Sequence, residues 1–106
     1  MGNVQFAGRL LHLFTERFAG DLERLEQHLA TGEADELARL AHAMKGACAN
    51  IAAPRLREHA SRVEESARER RLHQIPARLA LLRDEWECFV DSLTSSGLPH
   101  DGPGPI

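Results

Sequence analysis

A histidine and the chain's only lysine lie three residues apart, at His42 and Lys45. The other 12 of the 13 lysine and arginine residues are arginines. A lysine ammonium is a compact, mobile point charge, whereas an arginine guanidinium is a rigid planar fork. Residues three apart on a helix are neighbours on one face. A neutral imidazole can attack phosphorus and an ammonium can hold the charge of the transferring group, so this pair is a candidate phosphoryl acceptor.

The positions around this pair predict that His42 faces solvent. With about 100° of rotation per helical residue, the apolar side chains Leu40, Met44 and Ile51 fall on the side opposite His42. The residues near His42 on the wheel are mostly small, with a basic and an acidic residue at the rim, and we expect them to form part of a partner-docking surface: Asp35, Ala38, Arg39, Gly46 and Ala49. Among the acidic residues, Asp35 is expected to be the nearest to His42.

Gly46 lies in the middle of the expected helix, where a glycine costs about 1 kcal/mol relative to alanine. Two explanations stay open at this point. Gly46 either relieves crowding against another helix or lets a partner or the phosphoryl group approach closely.

Apolar spacing divides most of the chain into four amphipathic helices. The first carries a stripe from Phe6 to Leu29 and ends at Thr31-Gly32, and the second begins near residues 33–35 and ends before Pro54. Pro54 and Pro76 mark the starts of the third and fourth helices, because proline suits the first helical position. Short connections make successive helices antiparallel neighbours, so the fold class is all-α, an antiparallel up-down four-helix bundle. We expect one domain over residues 1–95 and a flexible Pro/Gly-rich tail over 96–106.

The run from His42 to Leu56 resembles the signature of the histidine-containing phosphotransfer (HPt) domain. That pattern is His, any residue, an apolar residue, Lys and Gly, followed by a small-residue turn, an apolar residue, Gly, and a Leu four residues further on. The matching residues are His42, Met44, Lys45, Gly46, Ile51 and Leu56. Ala52 departs from the pattern, since it stands where the family usually has glycine. The similarity extends over nearly all of residues 4–94.

The resemblance implies a relay function in two-component signalling. His42 would accept a phosphoryl group from an aspartate of a receiver domain and pass it to the aspartate of a response regulator, with Lys45 stabilising the group. It also implies no independent kinase activity and no cofactor of the chain's own, with Mg2+ bound by the partner receiver. We expect a cytoplasmic monomer, either free-standing or the C-terminal domain of a hybrid sensor histidine kinase, which would place it at the cytoplasmic end of a membrane-anchored protein.

Composition argues against several other classes. A net charge of -3 disfavours a nucleic-acid partner, and no apolar run has the length of a membrane span. Cys48 and Cys88 have neither metal nor redox spacing and are expected to be reduced thiols. The alternatives that remain are a helical adaptor without phosphoryl chemistry and, less favoured because no two histidines have metal-ligand spacing on a helix, a metal-binding bundle.

Overall fold

The computed structural model describes the backbone of residues 3–95 and the side chains of residues 8–93. These residues form α1 (Asn3–Ala30), α2 (Ala34–Asn50), α3 (Pro54–Arg68) and α4 (Ile75–Ser95), with a short 3-10 turn at Leu72–Gln74 before α4. No strand occurs in this part of the chain. The all-α four-helix prediction is confirmed. The tail predicted at 96–106 and the side chain of Phe6 lie outside the described residues.

Helix pairs consecutive in the chain pack against each other, and α2 and α3 make the most extensive contact. The centre of the bundle is built from aliphatic side chains of all four helices, including Leu22, Leu37, Leu56 and Leu82, each at most 2% exposed. Full burial of a leucine contributes about 1.5 to 3 kcal/mol. Of the apolar side chains predicted to lie opposite His42, Met44 is buried, and Leu40 and Ile51 pack at the edge of the core.

Aromatic rings join α1 to α4. Phe18 stacks on Trp86 with ring centroids 4.6 Å apart, and Phe14 contacts both Trp86 and Phe89. Offset and edge-to-face ring pairs add about 0.5 to 1.5 kcal/mol beyond the area they bury. These contacts fix the first and last helices of the chain side by side, as an up-down bundle requires.

Three of the helices end in the same hydrogen-bond pattern, in which a left-handed residue follows the helix. After α2, Ala52 donates to the carbonyl of Ala49 and Ala53 donates to that of Cys48. This is the Schellman arrangement, which supplies donors to carbonyls that the helix leaves unpaired. Gly32 has φ 69° after α1, as predicted, but Ala52 and Arg70 adopt φ 56° and 58° after α2 and α3. Ala52 therefore keeps the tight turn although it lacks the glycine of the family pattern.

None of the described helices combines the length and the apolar character needed to cross a membrane.

Candidate functional site

His42 stands in the middle of α2 on the side away from the core. Its side chain is 63% exposed, as the sequence predicted. The neighbours Ala41 and Met44 on the same helix are buried at 0% and 1% exposure, so the backbone beneath the imidazole is held firmly. The ring is accessible to a partner while its base is fixed, which is the combination that group transfer needs.

A buried carboxylate on α3 contacts the imidazole. Glu64 Oε2 lies 3.0 Å from His42 Nδ1, and the Glu64 side chain is only 8% exposed. Lys45 Nζ lies 2.8 Å from the other oxygen, Oε1. Arg68 donates to Oε2 from Nε at 2.8 Å and approaches it with Nη2 at 2.7 Å. Glu64 thus gathers His42, Lys45 and Arg68 around one carboxyl group.

The surroundings of Glu64 keep it ionised. Burial by itself raises the pKa of this carboxyl, but hydrogen bonds from Lys45, Arg68 and His42 outweigh the burial and bring its pKa down to about 2. An ionised carboxylate can only accept hydrogen bonds. The proton between the two groups therefore belongs to the imidazole, and Nδ1–H donates to Glu64 Oε2.

This hydrogen bond determines which ring nitrogen can react. In a neutral imidazole one nitrogen carries the proton and the other carries the lone pair. Because Glu64 holds the proton on Nδ1, the lone pair is on Nε2, the nitrogen on the far side of the ring from the hydrogen bond. The arrangement can present Nε2 as a nucleophile.

Two shallow depressions flank the site, and they are lined by different basic residues. One, of about 340 Å³, is lined by His42 and Arg68 together with Asp35, Ala38 and Arg39. The other, of about 520 Å³, is lined by Lys45 and by residues of α3: Pro54, Arg57, Glu58, Ser61, Arg62 and Glu65. Lys45, only 27% exposed, therefore opens onto a different depression from the one that His42 lines.

The residues predicted to surround His42 differ in their exposure and in their partners. Asp35 and Arg39 are exposed and paired, Asp35 with Arg70 of α3 at 3.1 Å and Arg39 with Glu36 at 2.8 Å. Gly46 and Ala49 are exposed.

Ala38 is only 6% exposed and belongs to the core cluster. It lines the floor of the depression beside His42 and offers a partner little surface. A β-carbon built on Gly46 would meet nothing within 4 Å. Of the two explanations for Gly46, crowding within the bundle is therefore wrong.

The sequence prediction that Asp35 is the acid nearest to His42 is wrong. Glu64 is in hydrogen-bond contact with the ring, whereas Asp35 is engaged by Arg70. Glu64 and Arg68 were missed because they lie 22 and 26 residues further along the chain, on another helix. The one available signal is that Glu64 directly follows the core residue Val63, at the border of the α3 apolar stripe, with Arg68 one turn later.

No group of three or more potential metal-ligating side chains occurs among the described residues. Cys48 is fully buried, and this burial raises the pKa of its thiol to about 11, so it is a packing residue and a poor nucleophile.

Comparison with known proteins gives one match. The family model described as Hpt domain matches residues 9–91, which is most of the chain. No curated protein and no solved structure matches.

Proposed function

Since the chain belongs to the Hpt domain family and therefore has a histidine phosphotransfer role in two-component signalling, we propose that His42 is the residue that carries the phosphoryl group. The group would come from an aspartyl phosphate of one receiver domain and go to an aspartate of another, on a response regulator. The observation that carries this proposal is the exposed imidazole with its Nδ1–H held by the buried carboxylate of Glu64.

The transfer step is a displacement at phosphorus. Nε2 of His42 attacks the acyl phosphate, an N–P bond forms, the P–O bond to the receiver breaks, and the receiver aspartate leaves as a carboxylate. The attack leaves positive charge on the ring, and Glu64 stabilises that charge through the proton that it holds on Nδ1. The reverse step regenerates the neutral ring. Such transfers depend mainly on positioning and charge stabilisation, which a small helical bundle can provide.

Lys45 is proposed to stabilise the transferring group. In the unphosphorylated structure its ammonium is paired with Glu64 Oε1, so this function has two parts. It holds the carboxylate that orients His42, and its flexible stem can bring the remaining N–H donors toward the phosphoryl oxygens. The domain needs no cofactor of its own under this proposal, and Mg2+ is supplied by the receiver.

The docking surface is proposed to include Arg39, Asp35, Gly46 and Ala49, with Ala38 as the floor of the depression. Gly46 contributes because internal packing does not require it, so its missing side chain is best explained by the approach of another molecule. The cytoplasmic location, the monomeric state and the place at the end of a hybrid kinase remain predictions within this proposal.

The test is a transfer assay with a phosphorylated receiver and Mg2+. We expect acid-labile, base-stable phosphate on this chain, and no label on His42→Gln although its helical circular dichroism is unchanged. Lys45→Ala should be labelled more slowly. Label that persists in His42→Gln would show that the site is assigned wrongly, and absence of label from every receiver of the same genome would favour the adaptor alternative.

A further inference from the structure

We propose that Arg57, together with Ser61, binds a carboxylate on the surface of the receiver domain and so extends the docking surface from α2 onto α3. This inference rests on the proposed relay function and names a second contact that the receiver would make, away from the phosphoryl group. It follows from the depression of about 520 Å³ that Lys45 lines together with residues of α3. The transfer step at His42 makes no use of those α3 residues.

The charges of this depression are paired except at Arg57. The two acidic residues that line it each have an arginine partner, Glu58 with Arg62 at 3.0 Å and Glu65 with Arg78 of α4 at 3.2 Å. The lysine that lines it is held by its α3 carboxylate, as described above. Arg57 is exposed, and no carboxylate of residues 8–93 forms an ion pair with it. The depression therefore carries one uncompensated positive charge, which a negatively charged group of a partner would complement.

A hydroxyl group lies beside this charge. Ser61 follows Arg57 by one helical turn, so the two side chains are neighbours on one face of α3. Ser61 is half-buried and lines the same depression, and within the described part of the chain its hydroxyl makes no hydrogen bond. A guanidinium fork matches the two oxygens of a carboxylate, and a serine hydroxyl can donate to the same group. The pair therefore fits an aspartate or glutamate side chain.

A receiver that covers His42 also reaches this position. Lys45 lines the depression and contacts the same carboxyl group, that of Glu64, as His42 does. Ser61 and Arg57 lie three and seven residues before Glu64 on α3, which corresponds to about 5 and 10 Å along the helix axis. An interface of ordinary size buries about 800 Å² on each partner, the area of a disc of about 16 Å radius. One docked domain can therefore contact His42 and Arg57 at once.

Two phosphoryl donors separate docking from the chemical step. A phosphorylated receiver must dock, whereas phosphoramidate is a small molecule that needs no docking surface. With phosphoramidate, the lone pair of Nε2 of His42 attacks phosphorus, the donor N–P bond breaks, and ammonia leaves after taking a proton from water. The measurement is the second-order rate constant for labelling of the full chain by each donor.

Arg57→Ala should lower the rate constant with the receiver about threefold to fivefold, as loss of one exposed ion pair predicts. Arg57→Glu should lower it about tenfold at low salt, and added salt should reduce this loss because it screens exposed charges. Ser61→Ala should lower it about twofold, since it removes one hydrogen bond of a partly exposed contact. Labelling by phosphoramidate should be unchanged in all three variants.

The matched control for Arg57 is Arg55. It lies on the same helix, is exposed, and pairs with no carboxylate among the residues that the structure describes. It lines neither depression, because two residues of helix turn it about 160° away from Arg57. Arg55→Glu changes the net charge by the same amount as Arg57→Glu, and it should change the rate constant with the receiver less than about twofold.

The partner group is identified on the receiver. When its exposed acidic residues are replaced by lysine one at a time, one variant should label Arg57→Glu faster than it labels the wild-type chain. Equal losses in Arg55→Glu and Arg57→Glu, or no such rescue, would overturn the proposal. A loss with phosphoramidate as large as that with the receiver would also overturn it, because Arg57 would then act on His42 itself. A wild-type chain that phosphoramidate labels but no phosphorylated receiver labels would instead contradict the relay function on which the proposal rests, so the two failures are distinguishable.

Discussion

Among residues 8–93, two carboxylates are buried, one on α1 and one on α3, and their surroundings shift their pKa values in opposite directions. Asp21 and Glu64 are 5% and 6% exposed. Burial raises the pKa of Asp21, and the nearby Arg17 and Arg24 only partly counteract it, so the pKa stays above its ordinary value. At Glu64 the donors from Lys45, Arg68 and His42 outweigh the burial, and the pKa falls to about 2.

The two pKa values differ because the basic partners of Asp21 are exposed and lie on its own helix, whereas Glu64 is contacted closely from two helices. The two arginines near Asp21 lie on its own helix at 3.0 and 3.9 Å, and their side chains are 62% and 78% exposed to water. Exposed pairs of this kind contribute little, about 0 to 1 kcal/mol. Glu64 is contacted at 3.0 Å or less from two helices, and Lys45 is itself largely covered. A buried charge is thus stabilised by several close donors from different elements, and one of those donors is the candidate acceptor ring.

The largest expected effect is the loss of stability when Glu64 loses its charge. Glu64→Gln leaves Lys45 and Arg68 facing a neutral amide, and we expect a cost of about 3 kcal/mol, at the lower end for breaking a buried pair because both cations retain some solvent. Urea unfolding at pH 7 measures the change. Asp21→Asn is the matched variant and should fall within about 1 kcal/mol of the wild type. Equal losses in the two variants would remove the distinction between the two carboxylates.

The second effect is on the pH dependence of stability. Because the folded pKa of Glu64 lies below the unfolded value near 4.5, its contribution is complete above pH 4.5 and is lost as pH falls toward 2. Unfolding at pH 3 should show a loss of about 2 kcal/mol from this group.

Asp21 has the opposite sign, since its folded pKa is raised and its penalty at neutral pH disappears on acidification. Glu64→Gln should therefore flatten the profile, whereas Asp21→Asn should make the acid loss slightly steeper. A profile that Glu64→Gln does not flatten would contradict the low pKa of Glu64.

The third effect compares the ends of the two helices that carry the site. Ala52 and Arg70 both occupy left-handed conformations, which cost a non-glycine residue about 1 kcal/mol. Ala52→Gly should stabilise the fold by about 0.5 to 1 kcal/mol in thermal or urea unfolding, with transfer unchanged. Arg70→Gly should gain less, because it also removes the ion pair with Asp35 at 3.1 Å. A destabilised Ala52→Gly would mean that the turn is not strained.

The fourth comparison separates an effect on folding from an effect on partner docking. Gly46→Ala adds a methyl group to open space and should stabilise α2 by up to about 1 kcal/mol. If a partner approaches closely at this position, the same variant should be labelled more slowly by a phosphorylated receiver and at an unchanged rate by phosphoramidate. Gly8→Ala, also with open space around the new β-carbon, is the control and should not affect either rate. Unchanged transfer to Gly46→Ala from the receiver would exclude Gly46 from the docking surface.

The sequence predicted the helices and the exposed position of His42 because both follow from local periodicity. Proline correctly predicted the start of α3 at Pro54, and glycine predicted the end of α1, which stops at Ala30, two residues before Gly32. The contact of Glu64 with His42 depends on the register of α3 against α2, and no spacing within one helix encodes that register. The left-handed conformations of Ala52 and Arg70 were likewise not predicted, because the packing of the following helices imposes them on residues that do not prefer them.

The residue that orients the imidazole lies on a different helix from the imidazole, so chemical competence depends on tertiary structure. A chain in which α2 and α3 have separated still contains His42 and Lys45 in sequence, but its ring is free to exchange between its two tautomers. Only the assembled bundle keeps the lone pair on Nε2. A nascent, damaged or partly unfolded copy would then be a poor recipient, and the signal would pass only through intact molecules.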